Sequence, residues 1–106
     1  MAKKVLGQLN PSATTATTLY TVPSGKSAVI STLVIANLTT TAATYRVAIR
    51  VAGATLANSQ YVAYDITVGA SDSTALTLGI TLAATDVVTV YASTANLTFT
   101  AFGDEA

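Results

Sequence analysis

The chain has 106 residues, of which 51% are hydrophobic and only 9% are charged, against about 25% charged residues in a typical soluble domain. Five basic residues balance five acidic ones, so no basic surface exists to hold nucleic acid phosphates. No apolar run reaches the roughly 18 residues that a membrane helix needs. This length and composition predict a single domain whose partners are neither nucleic acids nor membranes.

Histidine and cysteine are both absent, which removes the usual general base, the commonest metal ligands and the Ser-His and Cys-His nucleophile pairs. The absence of cysteine also excludes disulfide bonds. The acidic residues are scattered along the chain: Asp65, Asp72, Asp86, Asp104 and Glu105. Asp72 and Asp86 lie in predicted turns, where an aspartate side chain commonly accepts hydrogen bonds from nearby backbone. We therefore predict that the protein is not an enzyme and holds no metal or cofactor.

Residues 1–18 are predicted to form an N-terminal arm or a first strand. Two lysines are followed by three apolar residues before Pro11, and we expect this short segment to lie across a neighbouring subunit or another partner. Its candidate interface residues are Lys3, Lys4, Val5, Leu6 and Leu9. The remainder, residues 19–106, is predicted to be one β-sandwich domain.

The stretch "LYTVPSGKSAVISTLVIAN" predicts two strands joined by a tight turn. Pro23 presets the backbone and Gly25 can adopt a positive φ, so residues 19–22 and 28–37 are expected to pair as a hairpin. The second strand is apolar on both faces. It should therefore be central in a sandwich or covered by a neighbouring subunit.

Three later stretches alternate between apolar and polar residues with the period of two that is typical of strands: "TYRVAIRV", "STALTLGITL" and "LTFTAF". In the first of these, Arg46 and Arg50 should point outward together, and we count them among the candidate interface residues. Short Gly-, Asn- and Asp-containing breaks separate the runs. The pattern predicts an all-β sandwich of about eight strands, possibly of the jelly-roll type.

Two further features have alternative interpretations. The tyrosines could form an aromatic surface for sugars or a partner, although half-buried strand residues with a hydrated hydroxyl are the favoured interpretation; they are Tyr20, Tyr45, Tyr61, Tyr64 and Tyr91. The triplet "NLT" begins at Asn37 and again at Asn96, and matches a short glycan-acceptor pattern that often arises by chance.

The stretches "TTLYTVPSGKSAVISTLVIANLTTTAATYRVAIRVAG" and "LAATDVVTVYASTANLTFTAFG" resemble small virion structural proteins of tailed bacteriophages. The resemblance covers nearly the whole chain and does not separate head proteins from tail proteins. It implies a role in assembly, with no catalytic residues. We therefore expect a capsid decoration (cement) protein that binds and stabilises the outer surface of the shell. A tail, baseplate or fibre-associated module and a small carbohydrate-binding sandwich are the alternatives.

The low charge also bears on self-association. A Thr- and Ala-rich surface with few charged residues leaves strand edges poorly protected against pairing with other chains. We accordingly expect a homo-oligomer, possibly a trimer, that also contacts a phage major capsid protein or another virion protein.

Overall fold

The computed structural model describes residues 2–106, which form nine β-strands and two short 3-10 turns. The strands are β1 (Ala2–Leu9), β2 (Thr17–Thr21), β3 (Ala28–Asn37), β4 (Ala43–Arg50), β5 (Tyr61–Val68), β6 (Ser73–Leu76), β7 (Ile80–Leu82), β8 (Val87–Ala92) and β9 (Leu97–Glu105). The 3-10 turns, Val51–Gly53 and Asn58–Gln60, both lie between β4 and β5. In this part of the chain no helix has the length and apolar character needed to cross a membrane.

The strands form two antiparallel sheets that pack face to face. One sheet has the order β1-β9-β3-β6, with β7 also paired to β3, and the other has the order β2-β8-β4-β5. If β6 and β7 count as one interrupted strand, each sheet has four positions, and the chain crosses between the sheets at most connections. This is the strand order of a jelly roll. The predicted all-β sandwich is confirmed, and the interruption explains why nine strands occur where about eight were expected.

Strand β3 is central in the five-stranded sheet, between β9 on one side and β6 and β7 on the other. Its apolar character on both faces is thereby explained within the domain. The predicted hairpin is wrong, because β2 pairs with β8 in the opposite sheet. The turn itself forms as expected: Gly25 has a φ of 77° and the Lys26 N–H donates to the Pro23 carbonyl. It carries the chain from one sheet to the other.

The N-terminal segment is an edge strand of the sandwich. Strand β1 pairs with β9 along its length, and Leu6 and Leu9 pack against the core. Residues 2–9 are therefore a strand of the sandwich. Contact of this segment with a neighbouring subunit remains a prediction.

The core lies between the sheets and follows the predicted alternation with two exceptions. Leu97, Phe99 and Ala101 are fully buried, and the Phe99 ring meets Tyr45 edge-on with centroids 6.3 Å apart. Val51 and Leu78, by contrast, are 66% and 55% exposed. Strand β4 ends before Val51, and the chain leaves the sheet around Leu78, where Gly79 has a φ of 64°.

Two buried polar side chains organise the ends of the sandwich. The Asn37 amide donates to the carbonyls of Thr41, Val68 and Gly69, and its oxygen accepts from the Thr39 N–H and hydroxyl. At the other end, the Asp86 carboxylate accepts from the N–H groups of Ala52 and Ala83. The predicted role of Asp86 as a turn former is confirmed, and Asp72 likewise accepts from the Ser73 N–H.

Strands β3 and β9 approach unusually closely at Gly103. A Cβ added there would lie only 1.9 Å from the carbonyl oxygen of Val29. The pairing register shifts immediately beside this point, between Ile30 and Thr32. Glycine at position 103 therefore permits the irregular pairing at the centre of the five-stranded sheet.

Candidate functional site

The outer face of the four-stranded sheet carries a compact cluster of tyrosines around Arg46. The guanidinium carbon of Arg46 lies 4.1 Å from the centre of the Tyr64 ring and 4.2 Å from that of Tyr91. Its Nε and Nη2 atoms donate to the two carboxylate oxygens of Asp65, at 2.6 and 3.3 Å. The hydrogen bond to Asp65 raises the pKa of Arg46 above its already high ordinary value. Arg46 thus lies between two aromatic rings, and its positive charge is paired with a carboxylate.

An irregularity in β5 produces this arrangement. Tyr45 pairs with Ile66 and Val47 pairs with Ala63, so that Tyr64 and Asp65 together lie opposite Arg46. Asp65 has a φ of 51°, in the left-handed region. An extra residue on an edge strand bends the strand and redirects its side chains. Here it allows both the ring of Tyr64 and the carboxylate of Asp65 to reach the same guanidinium.

Tyr61 extends the cluster toward the loop between β4 and β5. Its ring meets that of Tyr64 edge-on, with centroids 4.9 Å apart. Together with Asn58, these two tyrosines line a shallow open depression of about 390 Å³. Tyr64 is 52% exposed, so a large part of its ring is available at this surface.

The loop itself is held in place by its own side chains and by the sheet. Gln60 accepts from the Ala57 N–H and donates to the Thr55 carbonyl, which closes the loop around Asn58. The first 3-10 turn, Val51–Gly53, contacts β8, and the second, Asn58–Gln60, contacts β4. Thr89 points outward by the alternation of β8 but is only 6% exposed, consistent with cover by this loop. The loop that carries Asn58 is therefore bonded to itself and in contact with the sheet.

Arg50 has a structural role in the same loop. Its guanidinium donates to the carbonyls of Gly53 and Ala54, at 3.0 and 2.7 Å. Arg46 and Arg50 do lie on one outer face, as the alternation of β4 predicts, but both are engaged by their own chain. The positive charge of Arg46 is paired with the carboxylate of Asp65, whereas Arg50 bonds only backbone carbonyls.

A second surface lies on the other sheet, around Phe102. A broad open depression of about 580 Å³ is lined by Lys3, Lys4, Val5, Ser31, Phe102, Gly103 and Asp104. Val5 and Phe102 are cross-strand neighbours and are 48% and 40% exposed. Asp104 Oδ1 is buried and has no hydrogen-bond partner among residues 2–106. We call this region the Phe102 surface.

The candidate interface residues predicted from the sequence do not form one surface. Lys3, Lys4 and Val5 border the Phe102 surface, with Lys4 also bonded to Glu105 at 3.0 Å. Leu6 and Leu9 are partly buried against the core instead. Arg46 and Arg50 lie on the opposite sheet.

The five tyrosines occupy two kinds of position, and the two in the core are more deeply buried than the half-buried interpretation predicted. Tyr20 and Tyr45 are buried, and burial raises the pKa of both hydroxyls. Tyr61, Tyr64 and Tyr91 gather at the surface around Arg46. The spacing of these three tyrosines in the sequence does not predict the cluster. The cluster depends on the β5 irregularity and on the pairing of β4 with both β5 and β8.

The two "NLT" triplets have different surroundings. Asn37 is 4% exposed and its amide nitrogen is committed to three carbonyls, so this position is a structural asparagine and cannot accept a glycan in the folded domain. Asn96 is exposed. Over residues 2–106, no group of three or more acidic side chains is placed to hold a metal ion.

The fold and surfaces define an all-β jelly-roll sandwich with an aromatic cluster on one sheet and, on the other, the Phe102 surface, which combines apolar and charged side chains. No protein-family model, curated protein or solved structure matches the chain. The resemblance to bacteriophage virion proteins therefore remains a prediction.

Proposed function

We propose that the protein is a structural component of a bacteriophage particle, and specifically a capsid decoration protein that binds the outside of the shell in many copies. The Phe102 surface is the observation that carries this proposal. It combines exposed apolar side chains with an unsatisfied buried acceptor, which are the features that a bound partner would cover and complete.

The rest of the outer face supports attachment without strong charge. Beside Phe102, the outward positions of β3 and β9 are small, apolar or Thr residues that are only partly buried: Val29, Thr32, Val34, Ala36, Thr98 and Thr100. Burial of apolar area contributes about 25 cal/mol per Å². Many copies on a symmetric shell would add modest individual contacts into firm attachment.

Strand edges provide a second means of association. Strand β1 is one edge of the five-stranded sheet and β5 is one edge of the four-stranded sheet, and β5 exposes Val62 and Ile66. Uncovered edges of this kind favour pairing with further chains. This supports a homo-oligomer, with a trimer as the specific form proposed, in contact with the major capsid protein.

The jelly roll occurs in viral capsid proteins and also in lectins, so the fold alone does not select the proposal. A tail, baseplate or fibre-associated module would use the same surfaces. Electron microscopy of particles labelled with an antibody to this protein tests the choice. Label over the whole head is expected. Label confined to the tail would favour the alternative, and unlabelled particles would refute both.

A further inference from the structure

We propose that Asn58, Tyr61 and Tyr64 form a binding site for a neutral saccharide. This goes beyond the role in a particle and does not depend on it. A pyranose ring has an apolar C–H face and a rim of hydroxyl groups. It is recognised by an exposed aromatic ring beside polar groups that both donate and accept hydrogen bonds.

The depression offers both kinds of group. Tyr64 is 52% exposed and provides a ring on which a sugar face can stack. Asn58 is exposed and lies beside Tyr61 and Tyr64 in the lining, so its amide supplies a donor and an acceptor at the same surface. The tyrosine hydroxyls add further hydrogen-bonding groups. The volume of about 390 Å³ falls within the range of about 300–1,000 Å³ seen for small-molecule sites.

The site is preorganised by residues behind it. Arg46 is inserted between Tyr64 and Tyr91 and is held by Asp65, which fixes the inner face of the Tyr64 ring. Gln60 closes the loop that carries Asn58. Groups fixed before binding lose little conformational entropy when a ligand arrives, and this favours binding by a small surface.

The local charge selects the class of ligand. The positive charge of Arg46 is paired with the carboxylate of Asp65 at 2.6 Å, so the cluster has no net charge to attract a phosphate, a sialic acid or a uronic acid. A proline-rich peptide docks in an extended groove lined by aromatic side chains. Tyr61 and Tyr64 instead meet at 86°, edge to face. A neutral saccharide is the ligand that matches a half-exposed tyrosine ring with adjacent amide and hydroxyl groups.

An array of neutral oligosaccharides built from glucose, galactose and N-acetylglucosamine tests the proposal, with sialylated and uronic acid-containing glycans printed beside them. The full-length protein is applied and detected with an antibody. A neutral oligosaccharide that binds is then titrated into the protein, and the tyrosine ring signals are followed by NMR. Shifts are expected at Tyr61 and Tyr64 and not at the buried Tyr45.

Variants locate the binding. Loss of one aromatic stacking contact corresponds to about tenfold weaker binding, which is the effect expected for Tyr64→Ala. Asn58→Ala should also weaken binding, whereas Tyr64→Phe should retain most of it because the ring face remains. Phe102→Ala removes an exposed aromatic ring from the opposite sheet and should leave binding unchanged. Thermal melting of each variant confirms that it is folded.

Four results would overturn the proposal: no neutral oligosaccharide binds, binding is confined to anionic glycans, binding survives both Tyr64→Ala and Asn58→Ala, or proline-rich peptides bind the same tyrosines in preference. None of these results concerns the location of the protein in a particle. Failure of this proposal is therefore distinguishable from failure of the proposed virion role.

Discussion

The hydroxyl of Tyr20 donates a hydrogen bond to the carboxylate of Glu105, and this bond joins the two sheets of the sandwich. Tyr20 lies in β2 of the four-stranded sheet and Glu105 near the end of β9 in the five-stranded sheet. Glu105 also accepts from Lys4 in the neighbouring edge strand, at 3.0 Å. One carboxylate therefore links the last strand, β9, to the first two strands, β1 and β2.

This linkage predicts a loss of stability in acid. The hydrogen bonds from Tyr20 and Lys4 lower the pKa of Glu105 below its ordinary value of 4.5. A carboxylate with a lowered folded-state pKa stabilises the fold above its unfolded-state pKa, and that contribution disappears as the pH falls through the folded-state pKa. Urea unfolding between pH 7 and pH 2 should therefore show stability falling below about pH 4.5.

Glu105→Gln is the matched variant, because it keeps the size of the side chain and removes the titrating group. Its unfolding midpoint should be lower than that of the wild type at pH 7 and should vary less with pH below about 4.5. If the unfolding midpoint of the variant fell with decreasing pH as steeply as that of the wild type, the loss of stability in acid could not be assigned to Glu105.

Asn37→Ala should strongly destabilise the domain. The substitution leaves the carbonyls of Thr41, Val68 and Gly69 without the Asn37 donor, in a site where Asn37 is only 4% exposed. Loss of buried hydrogen bonds of this kind predicts a decrease of about 3 kcal/mol in the free energy of unfolding. Chemical denaturation measures it.

Asn96→Ala is the control, because Asn96 begins the same "NLT" triplet but is exposed. It should change the free energy of unfolding by less than about 0.5 kcal/mol. Equal effects of the two substitutions would show that the Asn37 network contributes little.

Gly103→Ala should prevent folding or destabilise the domain by more than about 4 kcal/mol. The added Cβ would lie 1.9 Å from the Val29 carbonyl oxygen, so β3 and β9 would have to separate at the centre of the sheet. At Gly69 the nearest atom to an added Cβ is the Asp72 carboxylate oxygen, at 3.6 Å. Gly69→Ala should therefore fold normally, and circular dichroism with thermal melting distinguishes the two. A folded, stable Gly103→Ala protein would contradict the close approach described for these strands.

The sequence predicted the fold class because alternation along a strand depends only on which face is buried. Leu97, Phe99 and Ala101 illustrate this, since all three are fully buried as expected. Strand pairing could not be obtained in the same way. Alternation does not identify the neighbour of a strand, and a tight turn at Pro23 and Gly25 is compatible both with a hairpin and with a crossing between sheets.

The aromatic cluster was only partly predictable. The outward direction of Arg46 followed from the alternation of β4, but its position between Tyr64 and Tyr91 depends on two strand pairings and a β5 irregularity. The Phe102 surface was missed except for its N-terminal residues. Phe102 lies on the outward face of β9, as the alternation predicted, but its neighbour Val5 could be placed only once β1 was known to pair with β9.

Phe102→Glu should lower the amount of protein bound to the particle. Phe102 is 40% exposed and lies beside Val5, so a charged side chain would disrupt an apolar contact with a partner while leaving the core intact. Val51→Glu is the control, because Val51 is exposed in a loop away from the Phe102 surface. Quantitative blotting of purified particles should show reduced occupancy for Phe102→Glu alone. Equal occupancy for the two variants would exclude the Phe102 surface as the attachment site.

The most direct test of the virion role is the composition of purified particles before and after washing with about 1 M salt, where the electrostatic screening length is about 3 Å. Exposed ion pairs contribute only about 0–1 kcal/mol each and weaken with salt, whereas apolar contacts do not. Mass spectrometry should find this protein in a fixed, high ratio to the major capsid protein, unchanged by the wash. Absence of the protein from unwashed particles would contradict the virion role, and its release from intact shells by salt would contradict apolar attachment.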